Sequence, residues 1–303
     1  MHFKGLDLNL LVVLDALLTE KNTTKAGQQI FLSQSATSGA LARLRDYFGD
    51  PLLIQSGQKM MLTPLAEGLV HPVRELLKQA ESIITANAAF DPSTSTRTFR
   101  MNMSHYSATV LMPKVLERLH QTAPGVRIEI TMFQDEIPEA LERGDLDFLI
   151  VPNEFKSPLH PSEDLFTDSY VCVAWSGNAA MGNSISLEQY LSTGHVVARF
   201  GHAQARAFDE IALNRAGHSR NVEVVVPDFA LIPGLVVGSS LIATMHDRHA
   251  RFYARFLPLK LLRMPVELPC FTAKIQWHRY HEHDPGTRWM HDLLKEAAQE
   301  KHE

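Results

Sequence analysis

At 303 residues the chain exceeds one ordinary domain of about 100–200 residues, so two or three globular units are expected. Its 45% hydrophobic and 21% charged residues are those of a soluble protein with sizeable cores, and no stretch approaches the roughly 18 unbroken apolar residues of a membrane span. A formal net charge of −5 excludes attraction of nucleic acid by the whole-protein field, so any DNA binding must come from a local patch. The stretch from Met1 to Asn9 is interrupted by charge and has no small-residue cleavage site, so no secretion signal is read and a cytoplasmic location is expected. Cys172 and Cys270 each lie inside an apolar run and read as small core residues of a reducing compartment.

Leu10, Leu11, Leu14, Leu17 and Leu18 recur on one helical face, with Asp7 placed to cap the first turn. A second helix is expected from Asn22 or Thr23 through Ile30, stopping at the β-prone pair Phe31 and Leu32. Ser33 then sits where an N-cap belongs. Ala36, Ala40, Leu41, Leu44 and Phe48 form the inward stripe of a third helix that ends near Gly49. Three short helices so spaced make a helix-turn-helix. The outer face, with Ser33, Gln34, Ser35, Thr37 and Ser38, suits base edges, and Arg43 and Arg45 suit phosphates; the same residues also suit a solvated face. Residues 52–63 read as two short strands around a Ser-Gly turn, a wing that offers Lys59 to phosphates. Basic and acidic residues balance over 1–86, so geometry must make the patch.

Thr63 and Pro64 open a longer helix whose Leu65, Leu69, Val73, Leu76, Ala80 and Ile83 form a stripe suited to self-association, with Pro72 placed to bend it. The polar stretch 88–98 reads as a hinge. From Phe99 onward strand-like runs alternate with helical patterns, which predicts α/β units with mostly parallel sheets and length enough for two lobes. Ligands in such folds lie in the crevice at carboxyl ends of strands. That places Ser104, His105 and Tyr106 after the first strand, Phe133 after the second and Asn153 after the third. Phe200, His202, Phe229 and Ile232 follow from the second lobe, and Phe271 and Thr272 from the crossing back. A small aromatic or phenolic effector suits such a set, although each phenylalanine equally suits core packing.

No metal or cofactor is expected: His278, His281 and His283 lack a recognised ligand spacing and read as a solvated loop. No Gly-x-Ser-x-Gly elbow, phosphate loop, Rossmann fingerprint or His-Glu-x-x-His helix occurs, so nothing recommends an enzyme.

The run LDLNLLVVLDALLTEKNTTKAGQQIFLSQSATSGALARLRDYFGDPLL, followed by LTPLAEGL, resembles the N-terminal region of LysR-type transcriptional regulators. Within that family it is most similar to nodulation regulators responding to flavonoids and to regulators of nitroaromatic or chlorophenol breakdown. Glu142 to Ile150, Val224 to Phe229, Ile232-Pro233, Leu241 to Thr244, Asp284-Pro285-Gly286 and Trp289-Met290 extend the resemblance over nearly the whole chain. Ser35 stands where the family commonly has proline, and Gln55, Ser56 and Lys59 where its wing commonly has arginine. The resemblance implies a winged helix-turn-helix over 1–63, a dimerisation helix over 64–87, a hinge over 88–98 and an effector domain over 99–303. That domain would resemble type 2 periplasmic binding proteins, with lobe 1 at 99–166 and 268–303 and lobe 2 at 167–267. It also implies a homodimer or tetramer on double-stranded promoter DNA that activates through RNA polymerase, without a membrane. The other reading is a two-lobed binding protein whose N-terminal helices serve assembly only.

Overall fold

The computed structural model describes residues 2–3, 5–57, 59–85, 89–132, 137–142, 144–201 and 205–299. The chain divides into two compact units, Met1–Ala88 with Glu142–Asp145, and Ala89–Leu141 with Leu146–Glu303.

In the first unit a short pair, β1 (His2–Phe3) and β2 (Leu6–Asp7), precedes α1 (Leu10–Glu20), α2 (Thr23–Gln29) and α3 (Gln34–Phe48). All five leucines of the α1 stripe are buried, because their spacing returns them to one face. Asp7 does not cap α1: the cap is Asn9, and the Asp7 carboxylate instead accepts from the Asn9 amide at 3.1 Å. Asn22 caps α2, its side-chain oxygen accepting from the amides of Thr24 and Lys25 at 2.9 and 3.0 Å. Ser33 caps α3 by accepting from the Ala36 amide, and Gly49 at φ +62° closes it.

Helices α2 and α3 meet at Gly27, where a Cβ would lie 2.7 Å from Thr37 Oγ1 and 2.8 Å from the Leu32 carbonyl oxygen. The carbonyl is backbone and cannot swing away. Gly27→Ala should therefore destabilise this unit by about 1–3 kcal/mol. A circular-dichroism melt of the full chain checks this, and an unchanged melt would show that the helices can part.

Strands β3 (Leu53–Ser56) and β4 (Lys59–Leu62) pair antiparallel as the wing. Thr63 opens the 22-residue α4 (Pro64–Thr85): its hydroxyl accepts from the Ala66 amide at 3.1 Å and donates to Asp50 at 2.7 Å. The helix continues through Pro72. Ala66 and Val73 join the core of α1 and α3, whereas Leu76, Ile83 and Ile84 are exposed.

The second unit begins with β5 (Thr98–Met103), α5 (His105–Thr122), β6 (Arg127–Thr131), α6 (Ile137–Glu142), β7 (Phe148–Pro152) and β8 (Ser162–Asp168). The chain then crosses into a second sheet through β9 (Tyr170–Trp175), α7 (Leu187–Ser192), β10 (Gly194–Phe200), β11 (Ala205–Arg206), α8 (Phe208–Arg215) and β12 (Asn221–Val226). It continues through α9 (Ile232–Val236), β13 (Ile242–His246), α10 (Asp247–Ala254) and β14 (Leu259–Arg263), and returns as β15 (Phe271–Trp277) and α11 (Pro285–Gln299). The first sheet has the order β6-β5-β7-β15-β8; the second has β11-β10-β13-β9-β14, with β12 beside β10.

Both sheets are mixed rather than mostly parallel. Strands β5, β6 and β7 run parallel, as do β10, β12 and β13, but the strands next to the crossings, β8 with β15 and β9 with β14, pair antiparallel. A chain that leaves one sheet and later returns must run both ways at that seam. The first lobe packs Phe99, Met101, Phe148 and Ile275 of its sheet under α5 and α11. His278 and His281, expected in a solvated loop, are buried instead, with the His278 ring 4.7 Å from that of His160. Among the described residues no helix is long and apolar enough to cross a membrane.

Candidate functional site

Two surfaces are candidates for function, one in each unit. In the first, α2 turns into α3 at Phe31, which is 96% exposed at φ +58°, a conformation uncommon for a residue with a large side chain. Ser33, Gln34 and Ser35 follow on the exposed start of α3, and Ser38 is half-buried. Gln34 Nε2 donates to Ser38 Oγ at 3.1 Å, and the Ser33 and Ser35 hydroxyls lie 3.0 Å apart. These short polar groups present donors and acceptors at the N-terminal end of the helix, the end that reads base edges in this motif. Arg43 is exposed further along α3.

Two expected contacts are corrected. Thr37 is fully buried and its hydroxyl donates to the Ser33 carbonyl at 3.0 Å, so it packs against α2 and does not face outward. The inward stripe is Thr37, Ala40, Leu41 and Leu44, while Ala36 is exposed. Arg45 donates from Nε to the Pro51 carbonyl at 2.7 Å and from Nη2 to the Leu53 carbonyl at 3.1 Å, so its guanidinium ties the helix to the base of the wing. The side chain of Lys59 lies outside the described residues. Phe31 was missed by sequence reasoning, which took it only as a helix stop.

In the second unit the residues expected around one cleft separate into two groups. The first closes the seam between the lobes. His105 Nδ1 is hydrogen-bonded to Asp228 Oδ2, Phe200 and Phe229 meet at 5.2 Å between ring centroids, and Ile232 is fully buried beneath them. Ser104 caps α5 by accepting from the Ser107 amide at 3.1 Å. Tyr106 is buried, donates to Asp168 Oδ2 at 2.5 Å and stacks on His246 at 4.1 Å. Burial and then the Asp168 charge hold the Tyr106 phenol well above its usual range, while burial raises the Asp168 carboxyl. Tyr106 and Ile232 therefore belong to packing rather than to a ligand surface. Phe133 and His202 lie outside the described residues.

The second group, Asn153, Phe271 and Thr272, lines a cavity of about 450 Å³ between the lobes. The first lobe adds Glu154 and Asp164, with Lys274 paired to Asp164 at 2.5 Å; α8 adds Phe208 and Arg215. Tyr170 and Cys270 come from the crossings. Cys270 is thus exposed in the cavity, not in a core, whereas Cys172 is buried and its thiol is pushed up to about 12 by burial. Three aromatic rings line it with charged and amide groups around them, a lining whose ring faces and polar groups suit a planar, partly polar molecule. Sequence reasoning missed Phe208 and Arg215 because α8 buries Asp209 and Glu210 in its first turn, which hides its periodicity. Among the described residues no group of His, Cys, Asp and Glu is placed to hold a metal ion.

A winged helix-turn-helix ahead of a two-lobed α/β unit with a cavity between its sheets defines a transcriptional regulator. Residues 8–67 match the bacterial regulatory helix-turn-helix protein family of lysR type, and residues 93–299 match the LysR substrate binding domain. The chain belongs to the LysR family. It is 45% identical over 298 residues to nodulation protein D of Bradyrhizobium sp. (strain ANU 289), covering 98% of this chain and 88% of that one. With nodulation protein D 2 of Rhizobium leguminosarum bv. phaseoli the identity is also 45%, over 98% of this chain and 94% of the relative. A probable transcriptional regulator from Pseudomonas aeruginosa has the same fold at a TM-score of 0.69 and 30% identity, with 97% of both chains covered. Full-length OxyR from the same organism shares the fold at a TM-score of 0.76 and 19% identity, over 99% of this chain and 96% of that one. The matched family is one of bacterial regulatory proteins, and the chain is a transcriptional regulator rather than an enzyme.

Proposed function

We propose that this regulator binds double-stranded promoter DNA through the start of α3 and takes up a small aromatic or phenolic effector in the cavity between its lobes. The observation that carries the reading is that cavity: Tyr170, Phe208 and Phe271 supply ring faces, and Asn153, Arg215 and Lys274 supply groups that orient a hydroxyl or carboxylate. Likeness to nodulation protein D along nearly the whole chain supports a regulator that activates, in contact with RNA polymerase, in the cytoplasm. The exposed Leu76, Ile83 and Ile84 of α4 support a dimer or tetramer joined through that helix. The division of labour follows: DNA binding over 1–63, pairing over 64–87, a hinge over 88–98 and effector binding over 99–303. Effector uptake shifts the arrangement of the subunits and with it the bend of the DNA.

Footprinting upstream of the gene and its neighbours, at several salt concentrations with and without candidate phenols, tests this. A salt-dependent footprint that shortens or shifts with one phenol, and no longer responds in Phe208→Ala, is the expected result. Absent protection with phenol binding intact would leave the N-terminal helices an assembly role. Arg43→Ala should weaken binding evenly across sequences and lower the salt slope by about 1, whereas Gln34→Ala should cost about 1–3 kcal/mol and relax base preference. Equal salt slopes for Arg43→Ala and the parent would remove Arg43 from the phosphate contacts.

A further inference from the structure

A second cavity, of about 220 Å³, lies within the second lobe and is lined by Arg199, Arg206, Glu210, Asn214, Ser219 and Arg220, with Leu213 and Val222. It shares no lining residue with the cavity between the lobes. Helix α8 separates the two: Glu210, Leu213 and Asn214 face one, and Phe208, Ile211, Ala212 and Arg215 face the other.

Three guanidinium groups meet here. Arg199 Nη2 donates to Glu210 Oε1 at 3.0 Å, and Arg206 Nε lies 3.3 Å from the same oxygen. Arg220 Nη1 donates to Asp209 Oδ2 at 2.7 Å. Among the described residues three cations thus face two carboxylates, one positive charge in excess. Arg220 is 3% exposed, and its Nη2 has no hydrogen-bond partner among the described residues. A buried guanidinium N–H without an acceptor is costly, so the arrangement needs a reason. Arginine's planar fork fits the two oxygens of a carboxylate or phosphate better than any other side chain. The wall is not wholly polar: Leu213 and Val222 offer apolar surface, and Asn214 and Ser219 offer neutral hydrogen-bonding groups. A cavity of roughly 150 Å³ already holds a benzene ring, so this volume admits a ring or short chain bearing one acidic group.

We infer that the second lobe carries its own binding site for a small oxyanion, a monocarboxylate or phosphate, held by Arg199, Arg206 and Arg220. The inference does not rest on the effector reading, since a different set of side chains forms the site. The site lies on the face of α8 opposite the cavity between the lobes.

Calorimetric titration of the full chain at low salt with benzoate, acetate and inorganic phosphate tests the site, with benzyl alcohol as the uncharged control. At least one anion should bind while benzyl alcohol does not displace it; benzoate alone would point to a carboxylate with an apolar body, phosphate alone to a phosphate. Arg206→Gln is the informative variant, because Arg206 is half exposed and its loss leaves the Arg220–Asp209 pair intact. It should weaken anion binding about tenfold, and Phe208→Ala, in the other cavity, should leave that binding unchanged. Binding lost in Phe208→Ala but kept in Arg206→Gln would move the anion to the cavity between the lobes and overturn the inference, as would binding of none of the three anions at millimolar concentration.

Discussion

Lowering the pH from 7.5 to 5.0 should shift the urea midpoint of the second unit sharply downward, read by tryptophan fluorescence, since Trp175, Trp277 and Trp289 all lie in it. Three imidazoles there are shut away from water. Burial lowers His195 from 6.5 to about 4, and His246 and His249 each from 6.5 to about 3. Both ring nitrogens of His246 and of His249 lack hydrogen-bond partners among the described residues, so nothing in the fold repays a proton there. In the unfolded chain each ring takes up its proton below about pH 6.5, whereas in the fold it refuses one until pH 3 or 4. The unfolded state thus holds more protons across that window; stability is full above 6.5 and falls as the pH falls. At pH 5, about 1.5 units below the unfolded value, each ring removes about 2 kcal/mol, and the three together a large part of a stability of about 5–15 kcal/mol. Asp168 works the other way: its raised value means that protonation on acidification stabilises the fold, which returns part of the loss. His246→Phe, which keeps a flat ring against Tyr106, should flatten the pH dependence. A midpoint equal at the two pH values would refute the account.

These buried histidines were invisible in the sequence because a lone histidine carries no sign of its burial; His246 is placed against Tyr170 beside the crossing between the sheets, and His195 inside β10 against Tyr190. What local periodicity dictates was legible. The leucine stripe of α1 and the caps at Asn22 and Ser33 follow from spacing and from side-chain oxygens that satisfy free amides. The phase of α3 was misread by one residue at its start: Ala36 is apolar but exposed, and Thr37, polar but three and seven residues from Ala40 and Leu44, is buried. Arg45 was read by residue type as a phosphate contact, yet the carbonyls of Pro51 and Leu53 that take its donors are set by a turn no pattern announces. Strand ends were identified as places, but which ends meet depends on sheet order. Asn153 therefore lies beside Phe271 and Thr272 on the wall of the cavity, where β7 pairs with β15, whereas Tyr106 and Ile232 close into packing.

The Arg220–Asp209 pair is where α8 is fastened to the second sheet, and its removal should be the most damaging single change in that lobe. Both side chains are nearly fully buried, at 3% and 6% exposure, and Arg220 Nη1 also reaches Thr244 Oγ1 at 3.1 Å and the Tyr190 hydroxyl at 3.4 Å. Asp209→Ala leaves the guanidinium in a low-dielectric site with only neutral partners and should destabilise the unit by about 3–5 kcal/mol. The loss measures an abandoned charge, not the net worth of the pair, because burying both ions was itself expensive. Replacing the two together, Asp209→Leu with Arg220→Met, removes the charge as well as its partner and should cost less than Asp209→Ala alone. Urea unfolding of the full chain at pH 7.5, above the titration of His195, His246 and His249 in both states, isolates the effect. A double variant as damaged as the sum of its single changes would show that the two side chains act independently. A double variant that recovers stability but binds effector more weakly would show that the pair holds α8, and so Phe208 and Arg215, against the cavity between the lobes.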